Sequence, residues 1–258
     1  MRLPVIDHTP ATDDASAPAA PDTGPTDVID WAVDRFAAWS VAATTGFGME
    51  GCAMIDMLAK AGRRIRVIYI DTHFLFDETL RLRDRLIETY PELTFINAGT
   101  MLTPERQEAE HGPALWQRDP DLCCRIRKVE PLRRALRGVD AWFSAIRRDQ
   151  SPERAATQHV QWDWNYHLIK ICPLAHWSRA RVWEYIREND VPYNPLHERG
   201  YPSIGCTHCT VRVPGNRPGD YSRAGRWPDS HKTECGIHAD ADTHHEQTHT
   251  APGTERTE

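Results

Sequence analysis

Four of the seven cysteines in this 258-residue chain stand in two places, the dipeptide Cys123-Cys124 and the turn Cys206-Thr207-His208-Cys209. Adjacent cysteines can bond to each other only through a strained peptide, so the dipeptide is a poor disulfide. Two thiols on one helical turn and two on a C-x-x-C turn preceded by Gly205 make up the four thiolates that zinc or an iron–sulfur cluster takes. Any fold that uses this set must bring two distant segments together. Structural zinc draws its ligand pairs from C-x(2–4)-C knuckles, where a directly adjacent pair is unusual, so the spacing favours a cluster. Structural zinc and a set of inert core thiols are the rival readings.

Odd cysteine number and clustered spacing fit a reducing compartment better than a disulfide framework, and a cytoplasmic protein is expected. No run reaches the ~18–20 continuous apolar residues of a membrane span, and no basic region followed by an apolar run opens the chain. The net charge of −6 is uneven: residues 1–30 carry −5 and residues 239–258 carry −4, which leaves +3 on 31–238. Within that interior, residues 118–154 hold ten Lys/Arg against six acids. A local basic stretch in an acidic chain suits a small anionic ligand rather than nucleic acid, which needs a broad basic face. Several of those arginines are also expected simply to solvate helix faces.

The chain length allows one sizeable core, expected over 27–238, between disordered tails at 1–26 and 239–258. A first helix is read from a cap at Asp27 to Trp39, then a buried strand over 40–44. Thr44-Thr45-Gly46-Phe47-Gly48 follows, ahead of an apolar helix from Met49 to Ala61. Such a strand–glycine loop–helix junction presents N–H groups to an anion, but it matches neither the Walker nor the Rossmann fingerprint. The strand 66–70 ends in Asp71-Thr72, a helix is expected from Asp77 to Tyr90, and further strands at 93–96 and 139–145. Alternation of this kind specifies an α/β fold with a mainly parallel sheet, whose ligands collect at the carboxyl ends of strands.

Cys123 to Leu136 reads as a helix kinked at Pro131, with Lys128 one turn beyond the cysteine pair, facing both cluster and anion. Arg147 and Arg148 follow the strand at 139–145, where paired guanidiniums can fork onto an oxyanion. A helix is expected from Ser178 to Asn189. Arg223 and Arg226 add cations near the end. Cys235 stands apart from the other four cysteines. Lys232 and His238, if near it, would favour its thiolate, and a thiol on a glycine-containing tail segment suits a nucleophile. The tail histidines at 244, 245 and 249 are not expected to be ligands.

Together these segments resemble the adenylyl-sulfate (APS) reductase branch of the assimilatory sulfonucleotide reductases, over roughly residues 40–238. The resemblance lies in Cys-Cys-Arg-Ile-Arg-Lys-Val-Glu-Pro-Leu at 123–132, Ile-Arg-Arg-Asp-Gln-Ser-Pro at 146–152 and Tyr-Asn-Pro-Leu-His at 193–197. Gly-Tyr-Pro-Ser-Ile-Gly-Cys-Thr-His-Cys at 200–209 and Glu-Cys-Gly-Ile-His at 234–238 complete it. It implies a fold like the adenine-nucleotide α-hydrolases, one 4Fe-4S cluster on Cys123, Cys124, Cys206 and Cys209, and a catalytic Cys235. Thr44, Thr45, Gly46, Phe47, Gly48, Asp71, Thr72, Lys128, Arg148, Arg223, Arg226 and His238 would bind substrate. It further implies reduction of adenosine 5′-phosphosulfate to sulfite and AMP through an S-sulfocysteine, with thioredoxin as reductant, in sulfate assimilation and cysteine biosynthesis. The cluster cysteines point to APS rather than its 3′-phosphorylated relative as substrate. Neither nucleic acid nor membrane is expected as a partner, and the oligomeric state is open, a homo-oligomer included.

The chain departs from the family pattern where Thr44-Thr45 replace a serine-rich run, at Cys52, and at Cys172, where Asn is more usual. A tRNA-thiolating enzyme of related fold would carry a Ser-Gly-Gly-x-Asp-Ser type loop, which residues 45–50 do not match. A non-enzymatic zinc module would leave Cys235 and the loop unexplained.

Overall fold

Every strand read from the sequence joins a single six-stranded sheet in the computed structural model, which describes residues 17–19, 24–38, 40–215, 223–228 and 230–238. The strands are β1 (Val41–Thr45), β2 (Arg66–Tyr69), β3 (Thr94–Asn97), β4 (Ala141–Phe143), β5 (Val160–Asp163) and β6 (Leu168–Ile171). Their order is β3-β2-β1-β4-β6-β5, and every pair is parallel except β5 with β6. The sequence reading omitted β5 and β6, whose mixed polar and aromatic residues carry a weak strand signal. The chain enters at β1, moves outward through β2 and β3, then returns to β4 on the other side. The crevice above β1 and β4 is therefore the switch point where such sheets bind ligands.

Alternation along the strands sorts the two faces. Val41, Ala43, Val67, Ala141 and Phe143 face one apolar core, while Ala42, Ile68 and Trp142 face a second. The first core is filled by α2 (Met49–Lys60), in which Met49, Cys52, Ala53, Met54, Ile55, Met57 and Leu58 are all buried. A helix apolar on almost every side needs cover all round, and α1 (Pro25–Arg35) and α8 (Arg179–Glu188) supply it with the sheet. Each fully buried Met, Leu or Ile adds about 1.5–3 kcal/mol relative to exposure. Between these lie α3 (Asp77–Thr89), α4 (Pro104–His111), α5 (Leu115–Arg118), α6 (Pro120–Cys124) and α7 (Glu130–Ala135). Leu132 of α7 covers the second core, with Leu136 and Val139 just beyond that helix.

The first helix differs from expectation at both ends. Gly24 caps it and Pro25 opens it, because proline in a first turn lacks only an N–H that would be unpaired anyway. It stops at Arg35, since Phe36 is extended, and Trp39 lies outside the described residues. The kink expected at Pro131 is instead a π-helical turn, Arg125–Val129, closed by the Glu130 N–H on the Arg125 carbonyl. Pro131 has no N–H to offer the carbonyl four residues back, and the wider turn just before it absorbs the mismatch. The tails expected at 1–26 and 239–258 lie outside the described residues, apart from 17–19 and 24–26. Among the described residues no helix is long and apolar enough to cross a membrane.

Candidate active site

A cavity of about 240 Å³ opens at the carboxyl ends of β1, β2 and β4. Thr44, Thr45, Gly46 and Gly48 line it from β1 and its loop, Thr72 from beyond β2, and Ser144 from beyond β4. Gly48 caps α2, so the first amides of that helix border the cavity. The loop is tight: Thr45 Oγ1 accepts the Phe47 N–H at 3.0 Å, and a Cβ on Gly51 would fall 2.5 Å from that same oxygen. Only glycine at 51 permits this approach. Ile68, Ile70 and Leu132 give the cavity an apolar wall.

Cations and a thiol meet at its far side. Lys128, Arg154, Arg223, Arg226, Cys235 and His238 all line the cavity. The π-turn carries Lys128 to this position, next to the cysteine charges. Burial alone would lower the Lys128 pKa, but Cys206, Cys124 and Cys235 raise it above the ordinary lysine value. Burial likewise pushes the Cys235 thiol up, as does Glu234, whereas Lys128, Arg223 and the Ile237 N–H pull it down, and the net is below the ordinary cysteine value. Burial first, and then the neighbouring Arg154, lower Arg223 to about 10.

Directly behind Lys128 a second pocket is lined by Cys123, Cys124, Cys206 and Cys209. All four are buried, and none is in a disulfide. Leu75 and Cys206 form an isolated antiparallel bridge, and the Thr207 N–H donates to the Phe74 carbonyl at 2.8 Å, which seats the second pair over the loop after β2. Arg127 ties the first pair to that loop: Nη1 donates to the Thr72 carbonyl at 2.9 Å and Nε to Gln107 Oε1 at 2.7 Å. Thr72 Oγ1 lies 3.3 Å from Cys206 Sγ. Burial raises Cys123 to about 11, helped by the charges of Cys206 and Cys209. Burial also raises Cys124, to about 12.

Several expected roles fall elsewhere. Phe47 does not line the cavity: its backbone has φ 57° and its ring is buried against Tyr69, 5.3 Å between centroids, so it belongs to the core. Asp71 turns away to accept the His73 N–H at 2.8 Å and to pair with Arg83 at 3.6 Å. Arg148 points outward to the Thr157 carbonyl at 2.5 Å and Gln158 at 2.9 Å, while its neighbour Arg147 is the inward one, on Glu50. Lys232 pairs with Asp121, and burial with nearby Lys170, Arg154 and Arg223 holds His238 neutral, so neither is the cation that favours the Cys235 thiolate. Lys128 and Arg223 take that part.

The profile of the phosphoadenosine phosphosulfate reductase domain matches residues 40–212. The chain belongs to that family. Adenosine 5′-phosphosulfate reductase of Halalkalibacterium halodurans is 46% identical over 212 residues, covering 82% of this chain and 90% of the relative. Adenosine 5′-phosphosulfate reductase 2 of Bacillus subtilis is 43% identical over 212 residues, covering 82% and 88%. Among solved structures, the phosphoadenylyl-sulfate (PAPS) reductase of Candida auris superposes with a TM-score of 0.65 at 35% identity, over 74% of this chain and 91% of its own. An FMN adenylyltransferase of Candida glabrata, at a TM-score of 0.57 and 14% identity over 81% and 74%, shares the fold alone.

In this reductase-family chain the sequence reading missed Gln150, Arg154, Ser203 and His197 as cavity residues. Arg154 lies two residues past the motif at 146–152, in a 3₁₀ turn that begins with Pro152. The signal was an arginine just after a proline-started turn at a strand's ligand-facing end. His197 lies inside the motif at 193–197, which carried the resemblance and no site assignment.

Proposed function

We propose that the protein reduces adenosine 5′-phosphosulfate to sulfite and AMP, with thioredoxin as electron donor and an S-sulfocysteine on Cys235 as intermediate. The observation that carries this reading is Cys235 in one cavity with Lys128, Arg226 and the Thr45–Gly48 loop. A thiol favoured as thiolate, facing cations at a helix N-terminus, is the arrangement that thiolate attack on a bound sulfate–phosphate anhydride needs. The names carried by the relatives support the same substrate class.

In the first step the Cys235 thiolate attacks the substrate's sulfur, the bond from sulfur to the bridging phosphate oxygen breaks, and AMP leaves with the electron pair. Lys128 and Arg226 offset charge on the oxygens of that transition state, and the loop amides hold the phosphate. In the second step a thioredoxin thiolate attacks Cys235 Sγ and sulfite leaves. The second thioredoxin thiol then resolves the mixed disulfide, which returns Cys235 as thiolate and leaves thioredoxin oxidised by two electrons.

Cys123, Cys124, Cys206 and Cys209 would hold one 4Fe-4S cluster. Four buried thiols round one pocket suit it. When bound, the cluster would keep these thiols deprotonated and set the field around Lys128. The test is sulfite release from APS and from 3′-phospho-APS, side by side, on anaerobically purified protein with thioredoxin. Faster turnover of APS is expected. No sulfite from either substrate overturns the activity, and equal or faster turnover of the 3′-phosphorylated one overturns the preference.

A further inference from the structure

Glu234 immediately precedes the proposed nucleophile, and its side chain is only 10% exposed. Arg154 Nε and Nη2 donate to Glu234 Oε1 and Oε2 at 2.8 and 3.0 Å, the two parallel bonds of a forked pair. Arg223 Nη2 lies 3.3 Å from the same Oε2 and donates to the Thr233 carbonyl at 3.0 Å. Arg154 is itself fixed, because its Nη1 donates to Gln150 Oε1 at 2.5 Å. Gln150 Oε1 also accepts the Arg147 backbone N–H at 3.0 Å, and Arg147 Nη2 meets Glu50 in the first turn of α2 at 3.0 Å. A polar chain thus runs from the anion loop to the residue before Cys235.

The other side of the thiol is held differently. Ile237 packs into the second core with Trp142, and His238 stacks on the Trp142 ring, 5.8 Å between centroids. An ion pair therefore pins the residue before Cys235, and apolar contacts pin the residues after it. Among the four cations on the cavity, Arg154 and Arg223 are engaged by Glu234, whereas among the described residues neither Lys128 nor Arg226 has a carboxylate partner.

We propose that Glu234 is a positioning residue, a clamp that holds residues 232–238 closed over the cavity through Arg154 and Arg223 and so leaves Lys128 and Arg226 for the substrate's anion. Its part in the reaction rests on the function proposed above, whereas the closed segment can be measured without substrate. Glu234→Gln removes the partner of both Arg154 and Arg223, whereas Arg154→Met leaves Arg223 on Glu234, so the glutamate variant must have the larger effect.

Hydrogen exchange on the full-length, anaerobic protein without nucleotide tests this directly. In Glu234→Gln, the amides of 233–238 are expected to exchange about tenfold faster or more, as a locally opened segment does. Arg154→Met, in which Arg223 still reaches Glu234, should show a smaller increase, and the double variant should not exceed Glu234→Gln alone. Amides of β1 and β2 report the intact fold. If Arg154→Met loosens those as well, Glu234→Gln decides alone. Unchanged exchange of 233–238 in that variant overturns the clamp. On mixing with APS and no reductant, Glu234→Gln should bind APS as wild type does but form the Cys235 adduct about tenfold more slowly, since only orientation is lost. A wild-type adduct rate in a loosened segment overturns the positioning role. Absence of sulfite production by wild type would count against the proposed reaction and leave the exchange result standing.

Discussion

Cys124 and Cys235 both answer to Lys128, and their thiols move in opposite directions. Lys128 pulls both down, yet Cys124 ends well above the ordinary value and Cys235 below it. Burial dominates at Cys124, where the other neighbouring thiols add like charge. Lys232 lowers Cys124 as well without offsetting burial, whereas at Cys235 Arg223 and the Ile237 N–H tip the balance against burial and Glu234. Two cysteines of one chain are thus set for different chemistry by what surrounds them. Burial raises the pocket thiols of Cys123, Cys124 and Cys209, whereas Cys235 is held below the ordinary cysteine value.

The largest effect expected of any test of this contrast is at the nucleophile. Cys235→Ser should keep the visible iron–sulfur absorption and bind APS, form no covalent sulfite adduct by mass spectrometry, and lose activity by about a thousandfold or more, the loss typical of an essential nucleophile. An adduct on Cys52 or Cys172 would break the contrast, since burial raises both thiols and makes them inert. Cys209→Ser reverses the pattern: iron content and visible absorption should fall first and activity with them. Full cluster occupancy in that variant would remove Cys209 from the ligand set.

Lys128→Ala should retain the cluster while turnover falls about tenfold to a hundredfold, within the range for lost transition-state charge stabilisation. Because the cation favours the Cys235 thiolate, its removal must raise that thiol's pKa. The pH profile of Cys235 alkylation should therefore shift to higher pH, and an unmoved profile would assign the lowered value to Arg223 and the Ile237 N–H. The smallest effect is expected at Gly205, where an added Cβ would lie 2.3 Å from the Arg226 guanidinium. Gly205→Ala should displace the flexible end of Arg226, and kcat/KM for APS should fall about threefold to tenfold, the mark of weakened transition-state stabilisation. An unchanged kcat/KM would place Arg226 outside the substrate's reach.

How far the site could be read in advance depended on whether a residue's neighbours were close in sequence. The loop at 44–48 and the cysteine pairs announce themselves by local spacing, and the structure puts each beside a cavity. Arg147 and Arg148 show the limit. Adjacent in sequence and identical in type, they differ only in which points inward, and Glu50, 97 residues away from Arg147, decides that. Asp71 likewise reads as a ligand from its place at a strand end, but Arg83 and the His73 N–H claim it.

The sequence by itself determined the alternating α/β layout, the parallel core of the sheet and the two groups of cysteines. These rest on hydrophobic period, glycine placement and spacing, all of which act over a few residues. Only the tertiary structure decided that Arg154 and Glu234, 80 residues apart, fork onto each other, and that Lys128 stands between the thiol pocket and Cys235. Those outcomes depend on burial and on charges brought together from separate elements. Electrostatic energy at such sites is set by distance and exposure, which no local pattern encodes.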